Sequence, residues 1–215
     1  MNVIALVPLG NRDRHHSGAL TRFRGEPLLS HAVRGLLRSG CVDRVVVAGP
    51  PHNVAAYSAA LALVNDAEVK VLAGGGDRIE SMRSALTASS PEPTDLVLVH
   101  DASRPFTPTA TFTAVVSELK AGAVAAVPVE PVTDTIKIVD SDDVIRGTRD
   151  RTLLRSIQAP QGFRAATLRG TNTGDPLTEL GAKVRTVAGH PHGMRLVSAF
   201  DLAVIEALLA AEGTP

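Results

Sequence analysis

Residues 3–14 read Val3-Ile4-Ala5-Leu6-Val7-Pro8-Leu9-Gly10-Asn11-Arg12-Asp13-Arg14. An apolar run of strand length stops at Pro8 and empties into a small, polar, basic loop. A buried strand that opens into a loop with glycine and arginine is how α/β proteins build an anion site. Backbone N–H groups and guanidinium groups converge where the strand ends. Gly10 would let the backbone approach a phosphate, and Arg12 or Arg14 would neutralise it. The same residues also read as an exposed polar turn.

Outward from this stretch, strand-length apolar runs alternate with helical patterns. Leu28, Leu29, Ala32, Val33, Leu36 and Leu37 stand at helical spacing and predict a helix over 27–38, ended by Gly40. Strands follow at 44–48, 69–72, 96–100 and 123–129, with helices at 53–64, 78–88 and 108–120 between them. Continuous Val, Leu and Ile in each strand imply burial on both faces, hence a mostly parallel sheet with helices on both sides. After Pro131 the rhythm changes. Thr133, Thr135 and Lys137 alternate with apolar residues, and Asp140-Ser-Asp-Asp makes a turn. Residues 131–156 therefore read as a protruding β-arm, not as a further strand–helix unit. The stretch 156–163 returns to the sheet. Short helices are expected at 164–170 and 175–181, a strand at 183–188, and a closing helix at 199–211. The whole chain reads as one domain.

Composition narrows the function. The 215 residues are 44% hydrophobic and 20% charged, and Lys plus Arg balance Asp plus Glu at 22 each. A chain without net charge has no overall pull towards nucleic acid or anionic membrane, so any anion site must be local. With one cysteine, Cys41, there is neither an internal disulfide nor a thiolate metal cluster. No apolar run approaches the roughly 18 residues of a membrane span, and no signal-peptide pattern precedes the first strand. A soluble cytoplasmic protein with no nucleic-acid or membrane partner is the expectation. No G-x-G-x-x-G, Walker lysine loop or G-x-S-x-G elbow occurs, which points away from oxidoreductases, P-loop ATPases and α/β-hydrolases.

Ligands of open α/β sheets sit beyond the carboxyl ends of the strands. After the third strand stands Ala73-Gly-Gly-Gly-Asp-Arg, followed by Ser81. It reads either as a surface for a flat ligand such as a base or as a tight strand-to-helix turn. After the fourth strand stands His100-Asp-Ala-Ser-Arg-Pro. An acid there suits a Mg²⁺ that bridges phosphates; Asp101 also reads as a helix N-cap, and His100 as a packed core histidine. Arg104 offers a second anion contact. Lys137, Arg151 and Arg195 are further cations.

Taken in order, Val7-Pro8 with its basic loop, Ala73-Gly-Gly with Arg78 and Ser81, Val99-His-Asp-Ala-Ser-Arg-Pro, Ala126-Val-Pro-Val, Thr133-Asp-Thr-Ile-Lys and Ala159-Pro-Gln-Gly-Phe resemble the 2-C-methyl-D-erythritol 4-phosphate cytidylyltransferase family over essentially the whole chain. The resemblance implies a Rossmann-like nucleotidyltransferase fold and a homodimer joined through the β-arms. It also implies transfer of the cytidylyl group of CTP to a sugar-alcohol phosphate. By position, Pro8, Leu9, Gly10, Gly75, Gly76, Ser81, Asp101 and Ala102 would hold the nucleotide, with Asp101 as the Mg²⁺ ligand. Arg104 and Thr173, with Thr135 and Arg151 of a neighbouring subunit, would hold the acceptor. Arg14 and Arg195 would act on the phosphates.

The chain departs from the family pattern in places. The family's first loop carries a lysine on the triphosphate; here none stands near Ser17-Gly18, which leaves Arg14, Arg22 or Arg24 to supply the charge. Ala159 stands where the family usually has threonine, Arg195 where it has lysine, and His190-Pro-His192 where it has acids. Histidine suits Mg²⁺ poorly. Two other functions follow from these departures: a catalytically impaired homologue acting as a dimeric nucleotide-binding or regulatory protein, and a transferase with another acceptor.

Overall fold

The computed structural model describes residues 1–10, 18–64, 68–171 and 175–211. In chain order its strands are β1 (Val3–Pro8), β2 (Arg22–Phe23), β3 (Glu26–Pro27), β4 (Arg44–Gly49), β5 (Val69–Ala73), β6 (Leu96–Val99), β7 (Ala125–Pro131), β8 (Ile136–Val139), β9 (Ile145–Arg149), β10 (Arg155–Ile157), β11 (Gln161–Arg164) and β12 (Val184–Ala188). The helices are α1 (Leu28–Arg38), α2 (Val54–Leu61), α3 (Arg78–Ser89), α4 (Thr109–Lys120), α5 (Ala165–Arg169), α6 (Pro176–Leu180) and α7 (Ala199–Ala211).

All six residues of β1 are buried, because the strand has a neighbour on each edge and helices on each face. The two-residue period of a strand sorts its side chains. Ala5 and Val7 pack with Leu29, Val33 and Leu36 of α1 and Phe112 of α4. Ile4 and Leu6 pack on the other side with Met82 and Ala85 of α3 and Leu168 of α5. Truncating Leu6 to alanine in such a core costs about 2–5 kcal/mol. A third cluster joins Phe23, Leu28, Leu196, Ile205 and Leu209 beneath α7.

The sheet has eight strands. From one edge they run β5, β4, β1, β6, β11, β7, β12, with β10 following β11 along the same side of β7. The strands β1, β4, β5 and β6 are mutually parallel, as the apolar runs predict. The stretch 156–163 holds the largest difference from the expected pattern. It enters as two short strands, β10 and β11, both antiparallel to β7, on either side of the cis Ala159–Pro160 bond. The arm forms as expected: β8 and β9 make an antiparallel hairpin around Asp140, whose carboxylate accepts from the Asp142 and Val144 N–H groups. Successive strands are added on one side of β1 (β4, β5) and then on the other (β6). That reversal opens a crevice at the carboxyl ends of β1 and β6.

Candidate active site

A cavity of ≈ 590 Å³ lies beyond the carboxyl ends of β6 and β7. Four arginines (Arg78, Arg104, Arg155 and Arg195) and two aspartates (Asp101 and Asp175) line it. That excess of cations suits a ligand with several phosphate charges. Val127, Val129, Leu177 and Val184 supply an apolar floor.

Asp101 stands two residues beyond the end of β6. It does not cap a helix. Its Oδ1 accepts from the Ser103 N–H at 2.9 Å and the Ser103 hydroxyl at 2.6 Å, closing a turn. Its Oδ2 meets an Arg195 guanidinium nitrogen at 2.9 Å. Burial alone would raise the Asp101 pKa, but the Ser103 hydroxyl and the charges of Arg195 and Arg78 outweigh it and hold the carboxyl below its ordinary value. The group is thus a fixed anion with both oxygens aimed. Arg195 arrives on the segment that leaves β12, and the neighbouring Leu196 N–H donates to the Ser103 carbonyl at 2.7 Å. Ala102 is buried between these residues.

His100, one residue before, takes the packed-core alternative. It is fully buried with its ring 5.1 Å from that of Phe112. Neither ring nitrogen has a hydrogen-bond partner among the described residues. Burial pushes its pKa down to about 4, so the ring is neutral at pH 7.

The glycine loop after β5 closes on its own helix. A Cβ added to Gly74 would lie 2.5 Å from Ser81 Oγ, and one added to Gly75 2.0 Å from Glu80 Cβ. Asp77 caps α3 by accepting from the Glu80 N–H at 2.8 Å, and Glu80 reaches back to the Gly76 N–H at 2.7 Å. This reciprocal cap fixes the turn. Ser81 is fully buried with its hydroxyl 3.5 Å from the Gly75 carbonyl, so it stands behind the loop. Pro8 and Leu9 continue the pairing of β1 with β4, and Gly10 lies against the start of α3, where an added Cβ would come within 3.1 Å of the Arg78 N–H nitrogen.

Arg104 lines the cavity, and its two terminal nitrogens donate to the carbonyls of Gly193 and Ile157. Burial lowers its pKa and the Asp101 charge opposes that. Thr135 is exposed on the arm, and Arg151 donates to the Thr133 carbonyl at its base. Neither lines this chain's cavity. Arg14 and Thr173 lie outside the described residues. Of the other arginines offered in place of the family's lysine, Arg22 donates to the Gly25 carbonyl, and Arg24 pairs with Glu206 at 3.0 Å over the Phe23 ring. Arg155, Gln158, Thr178 and Thr186 also line the cavity, and sequence patterning does not single them out. Only the topology that folds β10, α6 and β12 around β7 brings them to the site. Arg78 is visible in the sequence as part of the glycine-loop pattern, without an assigned role.

Known proteins resemble this chain over nearly its whole length. A family model described as 2-C-methyl-D-erythritol 4-phosphate cytidylyltransferase matches residues 3–211. A relative of that name from Saccharopolyspora erythraea is 45% identical, covering 98% of this chain and 100% of its own. The crystal structure of the protein of that name from Thermus thermophilus superposes with a TM-score of 0.73 at 28% identity, covering 98% of this chain and 100% of that one. A 4-diphosphocytidyl-2C-methyl-D-erythritol synthase from Anaerococcus prevotii gives 0.81 at 20% identity, covering 97% of this chain and 96% of that one, which speaks to the fold.

Proposed function

This chain belongs to the 2-C-methyl-D-erythritol 4-phosphate cytidylyltransferase family, and from that premise we propose that it transfers the cytidylyl group of CTP to 2-C-methyl-D-erythritol 4-phosphate and releases pyrophosphate. The observation that carries the reading is the Asp101–Arg195 pair at the mouth of an arginine-lined cavity, at the point where the strand order reverses. A phosphate oxygen of the acceptor attacks the α-phosphorus of CTP. The new P–O bond forms as the bond to the bridging α,β oxygen breaks, and pyrophosphate leaves with that electron pair. No covalent intermediate on the protein is required. The work of the protein is in-line positioning and stabilisation of charge on the α-phosphate. Arg78 and Arg195 are placed to supply that charge. The glycine loop and residues 8–10 form the nucleotide side, and the apolar floor with Arg104 and Arg155 forms the acceptor side.

A Mg²⁺ site fits the donor set in one way. Such ions are often held by one or two carboxylates plus substrate phosphates. No group of three or more His, Cys, Asp or Glu residues could hold a metal among the described residues, but Asp101 keeps lone pairs on Oδ2 beyond its contact with Arg195. When bound there with CTP, the ion would neutralise phosphate charge. His190 and His192 pack against each other, their ring centroids 4.7 Å apart, and are not assigned to the metal.

The arm supports a homodimer. Ile136, Ile138, Val139, Val144, Ile145 and Leu153 are apolar side chains exposed within one 18-residue segment of the arm, the pattern of a surface that another chain covers. A second subunit docked there would bring its Thr135 and Arg151 to the acceptor. No helix among the described residues is long and apolar enough to cross a membrane. The test is pyrophosphate release by purified protein with CTP, Mg²⁺ and 2-C-methyl-D-erythritol 4-phosphate. Other nucleotides and a pentitol phosphate serve as controls. Release no higher than background refutes the activity, and preference for a control substrate refutes the assignment of that substrate.

A further inference from the structure

Gln158 is a buried side chain at the cavity wall, 5% exposed, and the hydrogen bonds of its amide go to backbone atoms. It is spent on one residue 32 positions away. The His190 N–H donates to Gln158 Oε1 at 3.0 Å, and Gln158 Nε2 donates to the His190 carbonyl at 2.9 Å. A side-chain amide thereby pairs with a backbone residue at two points. Gln158 itself is fixed through its N–H to the Pro128 carbonyl on one edge of β7, while the Gly189 N–H donates to Val129 on the other edge. The side chain therefore ties the segment leaving β12 to the far side of β7.

The fit leaves no slack. A Cβ on Gly189 would lie 2.7 Å from Gln158 Oε1, and one on Gly193 2.6 Å from it. Both glycines are needed for the segment to close around the amide. Arg104 grips the same segment from beneath, donating to the Gly193 carbonyl and to Ile157, the residue before Gln158. Two residues beyond Gly193 stands Arg195, with its guanidinium on Asp101. Arg195's own side chain is 56% exposed, so the position of its charge depends on how firmly its backbone is held.

We infer that Gln158 is a positioning residue: by clamping His190 it fixes residues 189–195 and sets where Arg195 delivers its charge. The inference rests on the reading of Arg195 as a phosphate-binding group of the transferase. Losing the clamp leaves the other substrate contacts in place and displaces this one cation by about an ångström or less, an error to which oriented catalysis is sensitive.

The test uses the full chain and four variants. Gln158→Met keeps size and removes both hydrogen bonds. Gln158→Glu keeps the acceptor for His190 and loses the donated bond, and carries the test where Gln158→Met does not fold. Arg195→Ala and the double variant complete a cycle. The expected result is a fall in kcat of about tenfold or more for Gln158→Met, with KM for CTP within about twofold. In the Arg195→Ala background the same change should cost less than about twofold. Hydrogen exchange of the 189–196 amides should quicken at least tenfold in Gln158→Met while that of β6 stays unchanged. Unchanged kcat, an equal loss in both backgrounds, or unaltered exchange at 189–196 overturns the inference. Absence of turnover by the native chain would instead strike the transferase reading, and the exchange measurement still decides whether Gln158 holds the segment.

Discussion

Replacing Asp101 by asparagine separates the chemistry of the site from its stability. Asparagine keeps the shape and an oxygen that can accept from Ser103 at the distances now seen, 2.9 and 2.6 Å. The ion pair with Arg195 is lost. At 2.9 Å that pair would be worth several kcal/mol in a dry interior, but the Arg195 side chain is 56% exposed and the Asp101 side chain 18%. Solvent screening at such a site reduces a pair to about 1 kcal/mol or less. Two charge-assisted hydrogen bonds become neutral ones, which adds about 1 kcal/mol at most. The sum, about 1–2 kcal/mol, lowers the melting temperature of a chain this size by roughly 2–8 °C. On the proposed reading Asp101 would hold the Mg²⁺ that offsets triphosphate charge, so turnover should suffer far more than stability. A lost preorganised electrostatic contact costs about 10²–10³-fold in rate. The assay pairs thermal unfolding with pyrophosphate release at 25 °C, where the variant is still folded. A rate within about threefold of native, or a melting temperature more than about 15 °C lower, would refute the division of labour argued for Asp101.

Three further outcomes are expected. His100→Phe, set against Phe112, should flatten the pH dependence of stability between about pH 6.5 and 4. The native ring has a folded pKa of about 4, below its unfolded value near 6.5, so the unfolded chain takes up the proton first. Native stability then falls with pH across that window, by about 3 kcal/mol in all; melting scans that show the same acid slope in native and variant would refute it. Gly74→Ala places a Cβ 2.5 Å from Ser81 Oγ and 2.9 Å from Ser81 Cα, so it should destabilise by about 1–3 kcal/mol and raise KM for CTP, checked by thermal unfolding and steady-state kinetics. Ile145→Asp puts a charge on a 61% exposed apolar arm residue; sedimentation should show monomer and turnover should fall at least tenfold, with the acceptor affinity weakened most.

The buried strands were legible because burial on two faces writes itself as unbroken Val, Leu and Ile. β1, β4 and β6 all carry that mark, and the polar alternation after Pro131 equally announces an arm. The stretch 156–163 was harder. Its ladder runs antiparallel in two short pieces around Pro160, and nothing local to eight residues specifies which neighbour they join. Asp101 could be placed from position alone, as the acid that follows a central strand. The glycine run after β5 supported two readings, and its neighbours account for the tight turn: Ser81 and Glu80 fill the space that glycine leaves at Gly74 and Gly75. Gln158 left no signal at all. Its partners are the backbone atoms of His190, and a backbone partner has no residue type for a sequence pattern to display.

The geometry of Asp101 and Arg195 bears on how the site works in time. A pair worth about 1 kcal/mol or less holds Arg195 on station without trapping it. An incoming phosphate offers the guanidinium a bidentate partner of higher charge, and the exposed half of the side chain leaves it room to turn. Asp101 does not lose its order when Arg195 leaves, since Ser103 still grips Oδ1 through two bonds. Anchorage is thus divided. Asp101 is fixed from within its own turn, and Arg195 is fixed through the backbone that Gln158 and Arg104 hold. The ion pair between them is a contact that can be exchanged for substrate at little expense to the fold.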